Sequence, residues 1–157
     1  MATATMNAGD AITGSLGNCY VTIEGRRFLF LQLISIEAKA EKNKTEVPIM
    51  GKTGKGNKAT GWKGTGTAKY HYGINKFREL MSRYAKTGED VYFDMQVMND
   101  DPTTKVGRQI VVLKGCNFNG MTIAKLDADA EYLEDELEFT FEDFEYAETF
   151  RNLAGME

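Results

Sequence analysis

The fold class follows most directly from the run Glu136-Leu137-Glu138-Phe139-Thr140-Phe141-Glu142. Apolar side chains alternate in it with charged or hydroxyl ones, which is typical of a β-strand with one buried and one solvated face. The pattern continues to Tyr146 and predicts a strand over 136–146. Further strands are predicted over 18–23, 91–98, 109–113 and 116–126. The chain is therefore predicted to be mainly β.

The predicted strand over residues 26–40 differs from the others because both of its alternating sets are largely apolar. A strand with one solvated face does not need that pattern, whereas a strand covered on both faces does. We expect one face to cover the core of the protomer and the other to be covered by a neighbouring subunit. The apolar positions are Phe28, Phe30, Ile34 and Ile36 on one side and Leu29, Leu31 and Leu33 on the other.

One helix is predicted, because apolar residues recur at helical spacing from Ile74 to Tyr84 and Gly88 stands where a helix C-cap belongs. Together with about seven strands, this predicts an antiparallel sandwich or barrel of the mainly β (α+β) class with one flanking helix. The length of 157 residues suits a single domain over 1–157. The most apolar stretch, 28–34, is far shorter than a bilayer span, and no basic leader precedes it, so we expect synthesis in the cytoplasm and no membrane span.

Charge is divided unevenly along the chain. Residues 1–86 carry 14 Lys or Arg against 6 Asp or Glu, whereas residues 87–157 carry 5 against 17. The two halves either present opposite faces of one fold or form complementary surfaces that meet between copies. From the charges alone, both interpretations stand.

The stretch 37–47 alternates in charge sign and lacks a core face. It predicts a projecting hairpin arm at about 37–57, and the alternative is a frayed, solvated loop. The Gly-rich stretch 51–66 is expected to lead into a strand that begins at Thr67.

Residues that would support catalysis or metal binding are sparse. The chain has one histidine, His71, and two cysteines, Cys19 and Cys116, that match no metal-ligand spacing. Gly51-Lys52-Thr53 lacks the upstream glycine of a phosphate-binding loop, since position 46 is glutamate. We therefore expect no enzyme activity, no cofactor and no metal site, and we expect both cysteines to be buried.

Nucleic-acid binding is the strongest rival function at this stage. Five lysines in the segment 52–69, together with Trp62 and two tyrosines, are able to contact phosphates and stack on bases. Against it, the chain has a net charge of −4 and its lysines are separated by glycines.

Several motifs, in one order along residues 18–150, resemble the tail tube (tail core) proteins of contractile-tailed Gram-positive phages and related phage-tail-like bacteriocins. They are Glu41-Lys42-Asn43-Lys44-Thr45-Glu46-Val47, Lys58-Ala59-Thr60-Gly61-Trp62-Lys63-Gly64-Thr65-Gly66, Tyr92-Phe93-Asp94-Met95-Gln96-Val97, Asn99-Asp100-Asp101-Pro102-Thr103, Gly107-Arg108-Gln109, Ala124-Lys125-Leu126-Asp127 and Phe139-Thr140-Phe141-Glu142-Asp143-Phe144. The chain departs from the family at Gly73-Ile74-Asn75, where a Ser- or Thr-type helix start is expected.

The resemblance implies a β-sandwich or half-barrel protomer, six copies of which form a ring with a continuous inner β-barrel. Stacked rings would form the inner tube of a phage tail or phage-tail-like particle, with a lumen for DNA or ions. The implied partners are further copies of the chain and the sheath, baseplate or tube-initiator, and tape-measure proteins, with assembly in the bacterial cytoplasm. A DNA-binding module and a ring protein of a type VI-like secretion apparatus are the alternatives.

With the resemblance, individual residues receive expected roles. Glu138, Thr140 and Glu142 are expected to face either the lumen or the sheath. The candidates for subunit interfaces are Phe28, Phe30, Leu31, Leu33, Lys39, Glu41, Lys42, Lys44 and Trp62.

Overall fold

Antiparallel strands make up most of the computed structural model, which describes residues 5–156. In this range the chain forms eight strands and one α-helix. They are β1 (Gly17–Ile23), β2 (Arg26–Leu29), β3 (Leu33–Pro48), β4 (Lys55–His71), α1 (Lys76–Thr87), β5 (Phe93–Asp100), β6 (Arg108–Gly120), β7 (Glu134–Phe141) and β8 (Asp143–Glu148). The predicted mainly β class with one flanking helix is confirmed.

Contacts divide the chain into two compact units. Unit 1 consists of Met1–Leu31, Val91–Gly115 and Asp143–Glu157, and unit 2 consists of Gln32–Asp90 and Cys116–Glu142. Strand β6 begins in unit 1 and ends in unit 2. The expectation of a single domain stays a prediction.

The prediction of one strand over 26–40 is wrong. β2 ends at Leu29 after pairing with β1, and β3 begins at Leu33 and pairs with β4. The chain changes partner strand in the interval, since the Phe30 N–H donates to the Cys19 carbonyl whereas the Gln32 carbonyl accepts from the His71 N–H. The run from Phe28 to Ile36 thus belongs to two strands with different partner strands.

Other strand boundaries also differ from the expectation. The predicted strands over 109–113 and 116–126 form one strand, β6, that ends at Gly120. The predicted strand over 136–146 spans β7 and β8, which are separated by Glu142. The strand expected from Thr67 begins at Lys55 instead. Glycines interrupt the alternation of side chains before Thr67, so the sequence does not show this first part of the strand.

The core of unit 1 contains alternate residues of β1, since Cys19, Val21 and Ile23 are buried. In strand order, β2 pairs with β1, β1 with β5 and β5 with β6, and β8 pairs with the first part of β6. The burial of Cys19 agrees with the expectation for the cysteines, and Cys116 in unit 2 is buried as well. The rest of this core comprises Phe30, Phe93, Met95 and Leu113.

Asp101 ties the start of the chain to the loop after β5. Its buried carboxylate accepts hydrogen bonds from the backbone N–H groups of Thr13 (2.9 Å) and Thr103 (3.0 Å). Asp10 acts in the same way, accepting from the Lys105 N–H at 3.0 Å. The motif around Asp101 therefore has a structural role, because its hydrogen bonds connect segments that are distant in the sequence.

The N–H donors of Thr13 and Thr103 hold the pKa of Asp101 below its usual range. A carboxyl whose pKa is lower in the folded state stabilises the fold above its unfolded pKa, and this contribution is lost as the pH falls. We expect Asp101→Asn to melt below the parent at pH 7 and the difference in Tm to shrink towards pH 3. Thermal melts across this range test it, with the exposed neighbour variant Asp100→Asn as control. A gap in Tm that stays constant with pH would contradict the proposed role of the carboxylate.

Unit 2 is a four-strand arrangement covered on one face by α1. The strands follow the order β6-β7-β4-β3, and β7 pairs with β4 from Gly64↔Phe141 to His71↔Glu134. Helix α1 buries Phe77 and Leu80, and the Phe77 ring lies 6.4 Å from that of Tyr70. The helix ends at Gly88, whose left-handed φ of 76° lets its N–H donate to the Tyr84 carbonyl, as the sequence predicts.

Arg78 joins α1 to the neighbouring elements of unit 2. Its Nη2 lies 3.0 Å from Oδ2 of the buried Asp135, and its Nε donates to the Thr122 carbonyl at 3.1 Å. The guanidinium also lies 4.5 Å above the Tyr72 ring. The buried carboxylate is thus paired, as burial of a charge requires.

Two glycines of β4 make room for phenylalanine rings of β7. A Cβ atom on Gly64 would lie 2.4 Å from Phe141 Cε2, and one on Gly66 would lie 2.3 Å from Phe139 Cζ. The rings lie directly over the β4 backbone, so glycine is required at both positions.

No helix among the described residues is long and apolar enough to cross a membrane.

Candidate assembly surface

Strands β3 and β4 form a hairpin that extends beyond the rest of its sheet. They pair from Leu33↔Tyr70 to Pro48↔Lys55, but β7 pairs with β4 only from Gly64 onward. Among the residues that the structure describes, 41–63 therefore pair as strands only with one another, and we call this segment the arm. The strands of this hairpin continue into the sheet, and the projecting arm expected at about 37–57 stays a prediction.

A bulge lies near the base of the arm. Asn43 pairs with Gly61 and Lys44 pairs with Ala59, so Thr60 is the additional residue on β4. The Thr60 hydroxyl donates to the Asn43 carbonyl at 3.2 Å. A bulge of this kind bends a strand and increases its local twist, so it helps to set the direction of the arm.

The arm is basic along its length and apolar at its tip. Residues 41–63 contain six lysines and two glutamates. Of these, Lys55 and Glu46 form an exposed ion pair at 3.8 Å. The tip carries Val47, Ile49 and Met50, all exposed, and Met50 fully so. In the sequence this tip is marked by four apolar residues at 47–50 within a charged stretch.

Strand β3 lies at the end of the strand order, with β4 on one side only. Along its 16 residues the other edge has no partner strand within residues 5–156. Such an edge presents unpaired N–H and C=O groups and is a template for pairing with another chain. Its length and exposure make it a candidate assembly surface.

The face of β3, β4 and β7 opposite to α1 is polar. Register places Glu37, Thr67 and Glu138 in one row and Lys39, Thr65 and Thr140 in the next. Exposed ion pairs join Lys39 to Glu37 at 3.2 Å and Lys69 to Glu134 at 3.1 Å. Glu142 is exposed between β7 and β8. Glu138 and Thr140 thus share one solvated face of the protomer, and their predicted role stays a prediction.

His71 lies at the end of this polar face, with its ring 5.5 Å from that of Tyr132. Across the part of the chain that the structure describes, no three His, Cys, Asp or Glu side chains are grouped so as to hold a metal ion. The described surface offers ion pairs, hydroxyl groups and an unpaired strand edge.

The interface candidates lie in different places. Phe30 is only 8% exposed, in the core of unit 1, whereas the adjacent Leu31 is 78% exposed. Phe28 and Leu33 are half-buried. Trp62 stands at the base of the arm, 43% exposed, with its ring 6.2 Å from that of Phe141. The remaining candidates, Lys39, Glu41, Lys42 and Lys44, are exposed along β3. Their interface roles stay predictions.

Comparison with solved structures places the fold. The chain superposes with a TM-score of 0.63 on a protein of the anti-feeding prophage baseplate, covering 93% of this chain and 97% of the other at 10% identity. It superposes with a TM-score of 0.64 on a protein of an extracellular contractile injection system in its sheath/tube terminator, covering 88% and 97% at 9% identity. At these identities the likeness shows the fold alone.

Comparison of sequences shows the family. The chain is 46% identical over 129 residues to the phage-like element PBSX protein XkdM of Bacillus subtilis (strain 168), covering 80% of this chain and 88% of XkdM. Residues 4–148 match the family model described as phage tail tube protein. The resemblance in the motifs is therefore confirmed: the chain belongs to the phage tail tube protein family.

Proposed function

We propose that the chain is the structural protomer of the inner tube of a contractile phage tail or phage-tail-like particle, and that six copies close into each ring. The unpaired edge of β3 carries this proposal. Closing a ring through that edge would pair its free backbone groups and remove an exposed template for aggregation. The solved structures with this fold include a baseplate, a sheath-tube complex and a tail, and two of them, the baseplate and the tail, are described with sixfold symmetry.

In such a ring the polar face of β3, β4 and β7 is proposed to line the lumen. Its glutamates, including Glu138, would repel the phosphates of passing DNA, while Lys39 and Lys69 are already engaged by Glu37 and Glu134. A lumen of this composition conducts polymer or ions without binding them. Glu142, exposed near the end of β7, is proposed to extend the same lining.

The proposed assembly places the chain in a particle built in the bacterial cytoplasm, with sheath, baseplate and tape-measure proteins as partners. Leu31, Leu33 and the lysines of β3 would contact neighbouring copies. Phe30 would support them from the core without direct contact, because its side chain is buried in the protomer.

Blocking the β3 edge tests the ring. Ile36 lies on β3 opposite Ala68, outside the arm. We expect Ile36→Pro to prevent the purified protein from forming hollow rings and tubes in negative stain, because proline lacks a strand donor and breaks edge pairing. Ile36→Val is the control and is expected to assemble like the parent. If the parent stays monomeric at high concentration, the tube proposal fails. If the proline variant forms tubes as the parent does, the β3 edge is not the seam.

A further inference from the structure

The tip of the arm combines apolar side chains with unpaired cations. Met50 is fully exposed and Ile49 is 42% exposed. Lys52 and Lys58, which flank the tip, form no ion pair with any residue in the range 5–156. A partner for such a tip has to offer apolar side chains together with carboxylates.

A loop elsewhere in unit 2 offers that combination. The loop 121–133, between β6 and β7, exposes Leu126 at 98% and Ile123 at 63%. Its acidic residues are Asp127, Asp129 and Glu131, and all three are exposed. We call residues 121–133 the acidic loop.

Hydrogen bonds hold the acidic loop in one shape. The Lys125 N–H donates to the Tyr72 hydroxyl at 3.2 Å, and its Nζ donates to the Glu134 carbonyl at 2.6 Å. Asp127 closes a turn, because its Oδ1 accepts the Asp129 N–H at 3.1 Å and its carbonyl accepts the Ala130 N–H at 3.4 Å. Leu126 and Ile123 are therefore exposed on a hydrogen-bonded loop.

We propose that the arm tip of one copy docks on the acidic loop of a neighbouring copy. Met50 and Ile49 cover Leu126 and Ile123, and the lysines around the tip pair with the carboxylates of the loop. This inference rests on the proposed tube of identical copies and names the two segments that meet. The contact would bring part of the basic first half of the chain against part of its acidic second half.

The arm is long enough to make such a contact. Eight paired residues, 41–48, extend beyond the last β4–β7 pair, a reach of about 26 Å at the usual rise per strand residue. Tip and loop are different surfaces, so the contact is heterologous and repeats from copy to copy along an assembly.

Cysteine cross-linking tests the pairing directly. Met50→Cys and Leu126→Cys are made separately, mixed, assembled and oxidised. We expect disulfide-linked dimers in the tubes, because a disulfide forms only when two Cα atoms lie within about 7 Å. The background is low because Cys19 and Cys116 are buried, and burial raises the pKa of the Cys19 thiol to about 12.

The matched control mixes Met50→Cys with Tyr92→Cys, which is also exposed but belongs to neither the acidic loop nor the β3 edge. It is expected to give no dimers. Tubes that form from Met50→Cys and Leu126→Cys without cross-linked dimers would overturn the docking while leaving the tube itself intact. Failure of the parent to form tubes would instead count against the proposed function.

Charge reversal provides an independent test. Lys52→Glu with Lys58→Glu, and separately Asp127→Lys with Asp129→Lys, are each expected to raise the concentration needed for assembly by about tenfold or more. Combining both reversals in one chain is expected to restore assembly, because the signs match again. Lack of restoration, with all protomers folded by circular dichroism, would refute the pairing of these two segments.

Discussion

Replacing Gly66 by valine is expected to lower the free energy of unfolding by about 3 kcal/mol, the upper range for an overpacked core. The cause is steric, since a Cβ at this position would lie 2.3 Å from Cζ of the fully buried Phe139. For a chain of this length the change corresponds to a fall in Tm of roughly 6–12 °C. Thermal melting by circular dichroism measures it.

Gly120→Val is the matched control, because a Cβ on Gly120 meets no atom within 4 Å. The double variant Gly66→Val with Phe139→Ala is expected to lose less than the sum of its parts, because the ring that clashes has been removed. Additive losses, or a melting temperature of Gly66→Val equal to that of Gly120→Val, would refute the close approach of Phe139 to Gly66.

Shortening the arm is expected to abolish tubes while leaving the protomer folded. The variant replaces residues 44–60 by Asn-Gly, which joins the paired Asn43 and Gly61 through a two-residue hairpin turn. The removed residues pair only with one another, so their loss affects the core of unit 2 little. We expect Tm to change by less than about 4 °C.

Negative-stain microscopy and sedimentation measure assembly of this variant. Gly54→Ala, in the turn of the full-length arm where an added Cβ meets no atom within 4 Å, is the control and is expected to form tubes. Tubes formed without the distal arm would show that the arm has no role in assembly. A protomer that unfolds would show instead that the arm belongs to the folding unit.

The fold class was predictable because the periodicity of strands and helices is set by residues that are close together in the sequence. The alternation in β7 and the spacing of α1 depend on one face of each element meeting the core, and the structure confirms both. β4 was predicted only from Thr67, because Gly64 and Gly66 have no side chains and therefore show no alternation. Their role depends on Phe139 and Phe141, which are more than seventy residues away in sequence.

The candidate assembly surface was predictable only in part. The charges at 37–47 indicated an arm, and β3 and β4 do form a hairpin there. The run from Phe28 to Ile36 predicts one strand where the structure has two, because periodicity does not reveal a change of partner strand at Phe30–Gln32. The exposure of Leu126 depends on hydrogen bonds of the acidic loop that have no sequence pattern.

The bulge at Thr60 shifts the strand register by one residue between the arm and the rest of the sheet. Side chains in a strand alternate with a period of two, so adding or losing one residue on β4 would ordinarily reverse the facing of everything beyond it. An unpaired residue at Thr60 absorbs that reversal, and Gly64 and Gly66 stay opposite their phenylalanines. The side-chain facing of the arm is thereby set separately from that of the sheet, so a substitution in the arm beyond Thr60 does not require the core of unit 2 to repack.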